Sequence, residues 1–361
     1  MIKLLTIPLS WIYALITALR NKMFDWNILK SKEYDIPVVC IGNISVGGTG
    51  KTPHTEMLIR LLATRYNIGV ISRGYKRKSS GYYEVTANSS VKKVGDEPKQ
   101  IKLNFPDIPV VVCENRNIGI AELRKKHPEI NLVIMDDGFQ HRRVETWLNI
   151  ILTDFSNPIY EDHILPWGRL REGLSSLARA HIVIVSKMPD KVKPIEMRLI
   201  SKFLNLYPYQ VLFFTKIVQK RPQHIFDEFD YIKFNPKSKV IALAAIAKPK
   251  AFVEQLTKRY NVVDLISYPD HYIYRKKDLA IIEEKIKEYG DDAVILMTEK
   301  DAVKFASSKI IPDWIRCRMY KVPIEVKFVE ADLTRNNTEE HFIERVLPYV
   351  KQNQKYNTLG F

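Results

Sequence analysis

Six short apolar runs, mostly rich in Val and Ile, constrain the fold of this chain more than any other feature of its sequence. They occupy residues 37–42, 67–72, 108–113, 132–137, 148–153 and 181–187. Segments with helical periodicity, such as TEMLIRLLATRY and NIGIAELRKKH, lie between several of them. Continuous apolar strands that alternate with helices predict an α/β fold whose parallel sheet is covered by helices on both faces.

A second, smaller α/β lobe is predicted in the later part of the chain. Residues 240–260 follow a strand–loop–helix pattern, and residues 292–305 repeat it. Proline-containing stretches between Pro189 and Ser238 are candidate linkers. We therefore divide the chain into an N-terminal apolar helix (1–30), a core that carries the main sheet (31–215) and a second lobe (216–361).

The N-terminal segment is apolar but short. No charged residue occurs from Leu4 to Leu19, and Arg20 and Lys22 follow. A membrane-spanning helix needs about 20 apolar residues, and the segment lacks a convincing signal-peptide cleavage site. We favour an interfacial helix flanked by cations; the alternative is a helix buried in the protein's own core.

A glycine-rich loop, SVGGTGKT, follows the first apolar run and precedes a helical segment. It matches the phosphate-binding pattern G-x-x-x-x-G-K-[ST] except that Ser45 replaces the first glycine. In such loops, backbone amides surround an anion. Lys51 would reach the β- and γ-phosphates, and the Thr52 hydroxyl would bind Mg²⁺. The residues predicted to hold the nucleotide are Ser45, Val46, Gly47, Gly48, Thr49, Gly50, Lys51 and Thr52. The alternative, a tight turn without a ligand, is disfavoured by Gly-Lys-Thr in this context.

Two adjacent carboxylates end the fourth apolar run, in LVIMDDGFQHRR (132–143). An apolar strand that ends in Asp is typical of the Walker B arrangement, in which the carboxylate meets Mg²⁺ directly or through water. If the strand continues, Asp136 and Asp137 point to opposite faces, so one faces the metal and the other supports it. The sequence does not decide between them.

ATP is favoured over GTP because no N-K-x-D motif for reading guanine is present. SKMPD (186–190) and TEKD (298–301) both place Asp at the wrong distance from Lys. The alternative to a kinase at this point is a soluble P-loop NTPase that acts as a switch or an assembly factor.

Seven motifs give the chain a specific resemblance to tetraacyldisaccharide 4'-kinases, the lipid A 4'-kinases of Gram-negative bacteria. They are GNISVGGTGKTP, ISRGYKRKS, VGDEP, DDGFQHRR, ILPWGRLREGLSSLARA, YPDHYIY and LMTEKDAVK. LPWGRLRE differs from the LPAGPLRE of many relatives at Trp167 and Arg169. Ser45 is no longer anomalous, since the family has Thr or Ser there.

The resemblance implies transfer of the γ-phosphate of ATP to the 4'-hydroxyl of tetraacyldisaccharide 1-phosphate, giving lipid IVA. It also implies that Asp96 of VGDEP accepts the hydroxyl proton, and that His271 of YPDHYIY orients this carboxylate or raises its basicity. Lys51 would neutralise charge that develops during transfer. Without the resemblance, Asp96 could be a helix cap and His271 an ordinary loop residue.

Polar residues near the predicted site are candidates for contacts with the acceptor, and solvated surface charge is the alternative for each. The candidates are Arg73, Tyr75, Gln140 and Arg171, followed by Lys76, Arg77, Arg142 and Arg169. His141 competes with His271 for a role in proton transfer but adjoins the predicted metal site.

The acceptor implied by the resemblance is an anionic amphiphile of the inner membrane. It would account for both the apolar N-terminus and the formal net charge of +15. We therefore expect the protein at the cytoplasmic face of the inner membrane, as a peripheral or monotopic protein. Nucleic acid is not an expected partner, because the basic residues are scattered and no nucleic-acid-binding motif is visible.

Overall fold

The larger of two sheets forms the centre of the molecule. The computed structural model describes residues 6–226, 234–235, 237–306, 311–329 and 337–357. Within them, the larger sheet has the strands β1 (Val38–Gly42), β2 (Ile68–Ser72), β3 (Tyr83–Glu84), β4 (Val110–Val112), β5 (Leu132–Asp136), β6 (Leu148–Asp154), β7 (Ile182–Ser186), β8 (Val211–Gln219) and β14 (Ile324–Phe328). Their order is β14-β8-β7-β6-β1-β5-β2-β4-β3. The strands from β8 to β4 are parallel, and the two edge strands are antiparallel. The predicted parallel sheet is confirmed.

Helices cover both faces of this sheet, as the sequence predicts. Those with residues in the two cores are α2 (Lys51–Leu62), α3 (Val91–Val94), α4 (Asp96–Asn104), α5 (Arg116–Lys126), α6 (Pro194–Leu204) and α11 (Glu339–Asn357); helix α1 (Ile7–Asp25) precedes β1 and is described below. Alternate residues of β1 supply opposite faces: Val38 packs in one core with residues of α5 and α6. Val39 packs in the other with residues of α2, α4 and α11. Strands buried on both faces explain why the runs are continuously apolar.

The second, smaller α/β unit is built on a five-stranded sheet within the described residues. Its strands are β9 (Gln223–His224), β10 (Lys239–Ala244), β11 (Asn261–Ser267), β12 (Val294–Thr298) and β13 (Met319–Val322), in the order β11-β10-β12-β13-β9. Its helices are α7 (Pro249–Thr257), α8 (Lys276–Tyr289), α9 (Glu299–Phe305) and α10 (Asp313–Arg316). The two predicted strand–loop–helix segments correspond to β10–α7 and β12–α9.

The chain passes between the two sheets more than once. Strand β8 crosses the division drawn at residue 215, and β14 pairs with β8 although it lies in the range 216–361. Phe342 of α11 packs in the same core as Phe213. A contiguous range therefore does not describe the second lobe, because the end of the chain returns to the larger sheet.

Helix α1 lies on the surface with an apolar outer face. Its exposed large apolar side chains are Leu9, Trp11, Ile12, Leu15, Ile16 and Leu19. On the inner side, the Ser10 hydroxyl accepts a hydrogen bond from the Trp167 amide at 2.9 Å, and Arg20 donates to the Gln140 carbonyl at 2.8 Å. No helix in the described part of the chain is long and apolar enough to cross a bilayer. Residues 1–5 of the predicted N-terminal segment lie outside the described residues.

Candidate active site

The glycine-rich loop connects the carboxyl end of β1 to α2. Gly50 precedes the helix with a φ of 87°, and Gly47 has a φ of 116°. Both values lie in the left-handed region, which side-chain-bearing residues rarely adopt. The Asn43 side chain donates to the Thr49 hydroxyl at 3.0 Å. The loop therefore ends at a helix N-terminus, where amides and the helix dipole favour an anion.

Lys51 begins α2 and faces the second carboxylate of the DDGF segment. Its Nζ lies 3.6 Å from Asp137 Oδ1, and Arg171 Nη1 lies 3.5 Å from the same oxygen. Burial alone would raise the pKa of Asp137, but Lys51 and Arg171 outweigh it and hold this pKa below its usual value. The predicted phosphate-binding lysine and the predicted metal-site carboxylate thus share one site.

Asp136 ends β5 and is almost fully buried. Its Oδ1 accepts a hydrogen bond from the Thr55 hydroxyl of α2 at 2.9 Å. Burial, followed by the charges of Glu97 and Asp137, raises the pKa of Asp136 to about 7. The two adjacent carboxyl groups therefore differ in their environment: Asp137 is paired with cations, whereas Asp136 is desolvated among other acids.

The residues at this point fit a magnesium ion. Oδ1 of Asp137 is buried and has no hydrogen-bond partner, and Thr52 lies one residue after Lys51. The described residues contain no group of three His, Cys, Asp or Glu side chains arranged to hold a metal. Mg²⁺ commonly uses only one or two carboxylates, with waters and phosphate oxygens completing its shell. Thr52, Asp136 and Asp137 are therefore a suitable donor set.

Asp96 and His271 lie in direct contact, although 175 positions separate them in sequence. Asp96 begins α4 and is 4% exposed. Its Oδ2 lies 2.8 Å from His271 Nδ1, and its Oδ1 accepts from the Glu97 amide at 3.0 Å. Gly95 has a φ of 91° and lies against Gly74. A Cβ added to Gly95 would lie 3.3 Å from backbone atoms of Gly74. The fold therefore assembles the predicted pair from the first residue of a helix and a loop that is distant in sequence.

Lys300, at the start of α9, completes this pair. Its Nζ lies 3.1 Å from His271 Nε2 and 3.7 Å from Asp96 Oδ2. A charged lysine can only donate, so Nε2 accepts and the Nδ1 proton is donated to Asp96. Burial alone would raise the pKa of Asp96, but His271 and Lys300 lower it below its usual value. Of the two roles expected for His271, this contact favours orientation of the carboxylate, because a hydrogen bond donated to the charged form lowers its basicity.

Glu97 lies between the two halves of the site. Burial raises the pKa of its carboxyl group, and the charges that act on it include Lys300 and Asp96 on one side and Lys51 and Asp137 on the other. Sequence reasoning missed Glu97 and Lys300 as site residues, although both stand inside the quoted motifs VGDEP and LMTEKDAVK. The available signal was position: Glu97 follows Asp96 directly, and Lys300 directly precedes Asp301.

Three of the four principal acceptor candidates border these groups. The ring of Tyr75 lies 5.2 Å from that of His271, edge to face. Gln140 donates to the Asn43 carbonyl at 2.8 Å and accepts from Arg171 at 3.3 Å. Arg73 is exposed at the end of β2.

Most of the further candidates have structural partners. Arg77 pairs with Glu114 at 2.6 Å, Arg142 with Asp25 at 2.8 Å and Arg169 with Asp162 at 2.8 Å. Lys76 Nζ lies 5.6 Å from the centre of the Tyr75 ring. His141 lines a cavity of about 600 Å³ beside the end of α1, and burial, followed by nearby arginines, lowers its pKa to about 4.

Arg116 is a further cation of this site that the sequence did not single out. It begins α5 and is 2% exposed, yet its Nε and Nη2 atoms have no hydrogen-bond partner. Burial lowers its pKa to about 10, against the opposing effect of Asp137 and Asp136. The charge of Arg73 also lowers the pKa of Arg116, so a second guanidinium group lies close enough to act on it.

The comparison with known protein families identifies the family to which the chain with this site belongs. The model of the tetraacyldisaccharide-1-P 4'-kinase family, LpxK, matches residues 2–342. The chain belongs to this family.

Individual LpxK relatives match over nearly the whole chain. Tetraacyldisaccharide 4'-kinase from Bacteroides thetaiotaomicron is 39% identical, covering 98% of this chain and 94% of the relative. The enzyme of the same name from Flavobacterium johnsoniae is 38% identical, covering 96% of each. LpxK from Aquifex aeolicus, solved in complex with ATP, is 26% identical and superimposes with a TM-score of 0.75, covering 97% of this chain and 100% of that one. The LpxK fold therefore extends over both sheets of this chain.

Proposed function

We propose that this LpxK family member transfers the γ-phosphate of ATP to the 4'-hydroxyl of a tetraacyldisaccharide 1-phosphate. The product would be lipid IVA, an intermediate of lipid A biosynthesis. The observation that carries the proposal is the contact of Asp96 with His271 and Lys300, beside a glycine-rich loop whose lysine faces Asp137.

The donor half of the site would bind and orient ATP. The amides at the start of α2 and the Lys51 ammonium supply positive charge where the phosphates would lie. A Mg²⁺ held by Thr52, Asp136 and Asp137 would neutralise charge on the transferred phosphoryl group. Lys51 balances the charge of Asp137 before ATP arrives and can move to the γ-phosphate, since the two charges lie 3.6 Å apart rather than in a tight pair.

Asp96 would accept the proton of the acceptor hydroxyl. Its carboxylate stays ionised because His271 donates to one of its oxygens and Lys300 lies nearby. His271 fixes the direction of the carboxylate, so that its remaining lone pairs can meet a hydroxyl. Positioning of this kind supplies most of the catalysis in phosphoryl transfer.

The anionic part of the acceptor would meet the arginines on the other side of Asp137. Arg116 has two buried nitrogens without hydrogen-bond partners, Arg171 lies 3.5 Å from Asp137, and Arg73 is exposed nearby. An arginine fork matches the oxygens of a phosphate monoester. These residues, together with Tyr75 and Gln140, are our proposed acceptor contacts.

The lipid nature of the acceptor places the protein at a membrane surface in this proposal. The outer face of α1 exposes Trp11 and Leu15 at 69% and 70%. A surface helix with such a face would lie in the interfacial region rather than cross the bilayer. We propose peripheral binding of this kind at the cytoplasmic face of the inner membrane, where ATP is available, and no binding to nucleic acid.

The direct test is transfer of radiolabel from γ-³²P-ATP to a tetraacyldisaccharide 1-phosphate in detergent micelles, followed by thin-layer chromatography. The wild-type chain should give a labelled lipid in the presence of Mg²⁺, and Lys51→Ala should lose the product by a factor of at least about 100. Lys287→Ala, which changes an exposed lysine of α8, is the matched control.

The same assay separates the kinase from a soluble NTPase switch. A switch would release labelled inorganic phosphate at the same rate with and without lipid. That result, or a labelled lipid formed equally well by Lys51→Ala, would refute the proposed function.

A further inference from the structure

Three consecutive carbonyl groups of the glycine-rich loop are each held by a side chain from outside the loop. Lys187 Nζ donates to the Gly48 carbonyl, Ser186 Oγ to the Thr49 carbonyl at 2.7 Å, and His54 Nδ1 to the Gly50 carbonyl at 2.7 Å. We call Ser186, Lys187 and His54 the carbonyl clamp. The Ser-Lys pair comes from the end of β7, on the far side of β6, and so lies outside the glycine-rich loop and its helix.

The clamp fixes the direction of the loop amides. In a trans peptide, the C=O and the following N–H point in opposite directions. Carbonyls that face the clamp therefore turn the amides of Thr49, Gly50 and Lys51 to the other side of the loop. The amide of Thr49 bonds there to the Gly47 carbonyl at 3.1 Å. That bond occupies the Thr49 amide, so the amides of Gly50 and Lys51 are the two that the clamp turns toward a bound phosphate chain.

Each member of the clamp is itself anchored. Lys187 Nζ also donates to Asp154 Oδ2, at the end of β6, at 2.8 Å. Ser186 is completely buried. His54 Nε2 lies 2.9 Å from the Thr215 hydroxyl of β8, and burial lowers the pKa of His54 to about 4. A neutral histidine has one N–H, and the carbonyl contact places it on Nδ1.

We propose that Ser186 and Lys187 are positioning residues for ATP: they orient the loop that binds the triphosphate without contacting the nucleotide themselves. The inference rests on the proposed function only in taking ATP as the phosphoryl donor. Because the clamp acts on the donor half alone, its loss should weaken ATP binding and leave the acceptor half intact.

The test uses the full-length chain and measures both the Kd of ATP by calorimetry and the KM values of ATP and of the lipid acceptor. A hydrogen bond contributes about 0.5–1.5 kcal/mol, so Ser186→Ala and Lys187→Ala should each raise the Kd and the KM of ATP by roughly 2- to 12-fold. The KM of the acceptor should stay within about twofold of wild type. Lys187→Arg, which keeps a donor, should restore part of the ATP affinity.

Lys216→Ala is the matched control, since this lysine of the neighbouring strand β8 pairs with Asp190 at 3.2 Å. It should leave the Kd of ATP unchanged, and a loss equal to that of Lys187→Ala would mean that any nearby positive charge suffices. Thermal unfolding of each variant identifies changes in stability. If Lys187→Ala does not fold, Ser186→Ala and Lys187→Arg still carry the test.

Two results would overturn the proposal. One is an unchanged Kd of ATP in both Ser186→Ala and Lys187→Ala. The other is a loss confined to Lys187→Ala, because Ser186 is buried and can act only through the loop, so Lys187 would then act by its charge. Calorimetry needs no acceptor, so either result is independent of whether a lipid is phosphorylated.

Discussion

At the level of single residues, a substitution of Asp96 can separate the rate of phosphoryl transfer from the binding of ATP. Asp96→Asn keeps the size of the side chain and a hydrogen bond to His271 after rotation of the amide, but it cannot accept the hydroxyl proton. General-base catalysis contributes roughly 10²- to 10⁴-fold, so kcat should fall by that factor while the Kd of ATP stays within about twofold. Steady-state kinetics and calorimetry on the same preparation check this. A parallel loss of ATP binding would show that Asp96 serves the fold or the metal instead.

Lys300 should set the pH at which Asp96 loses activity. Its charge helps to lower the pKa of Asp96, so Lys300→Met should raise that pKa. A base is inactive when protonated, and the acidic limb of the kcat profile should therefore move to higher pH. Lys287→Met, at an exposed position of α8, should leave the limb in place. A shift toward lower pH would contradict the assigned geometry.

The sequence could predict those site residues whose motif states their chemistry. Lys51 and Asp136 follow from strand, loop and spacing, and the Asp96–His271 contact follows from the family resemblance. Arg116 and Ser186 could not be predicted, because their roles depend on which loops meet at the carboxyl edge of the sheet. Arg116 stands in no quoted motif, and Ser186 was predicted only as part of the apolar run 181–187 and of SKMPD, which was weighed for guanine recognition.

At the scale of secondary-structure elements, a buried polar network joins α2, α4 and α9. Asn104 donates to Glu56 at 3.0 Å and to Glu299 at 3.3 Å, and Gln100 donates to Glu56 at 3.0 Å. The helix that carries the loop lysine is thus connected to the helix that begins with Asp96 and to the helix that carries Lys300. Burial, followed by the charge of Glu299, raises the pKa of Glu56 to about 7.

This network predicts a pH dependence of stability. The pKa of Glu56 is higher in the folded chain than in the unfolded one, so its contribution is fully present below about pH 4.5 and is lost as the pH rises toward 7. Glu56→Gln stays neutral and can still accept from Asn104, so its unfolding free energy should fall less than that of wild type between pH 5 and 8. Urea unfolding at the two pH values measures the difference. Glu254→Gln, exposed on α7, should behave as wild type; an identical slope in Glu56→Gln would exclude the network as the cause.

The elements themselves were largely predictable, because each buried strand is a continuous apolar run and each intervening helix has its own periodicity. The path of the chain between the two sheets could not be predicted in this way. Strand β14 and helix α11 return to the larger sheet, and that choice depends on the antiparallel pairing of Ile324–Phe328 with β8 and on the packing of Phe342. Local pattern identifies a strand but does not identify its partner.

At the scale of the whole molecule, two surface helices expose apolar stripes, and the two can be tested against each other. Leu15, Ile16 and Leu19 of α1 are 70%, 60% and 56% exposed, and Ile195, Leu199 and Phe203 of α6 are 54%, 43% and 56% exposed. The two sets have equal numbers of side chains and similar exposure. Substitution of either set by serine removes comparable apolar area, so the α6 set is a matched control for α1.

We expect the full-length chain to sediment with vesicles of anionic phospholipid, and the triple serine variant of α1 to bind them far more weakly. If each side chain contributes roughly 1 kcal/mol on transfer from water into the interface, three substitutions should weaken binding by about 100-fold. Because these side chains are exposed, the unfolding temperature should stay close to that of wild type, and phosphoryl transfer to an acceptor in detergent micelles should persist. The α6 variant should bind vesicles as wild type does. If α6 loses binding and α1 keeps it, the membrane contact lies on α6, and α1 has no part in bringing the active site to its lipid.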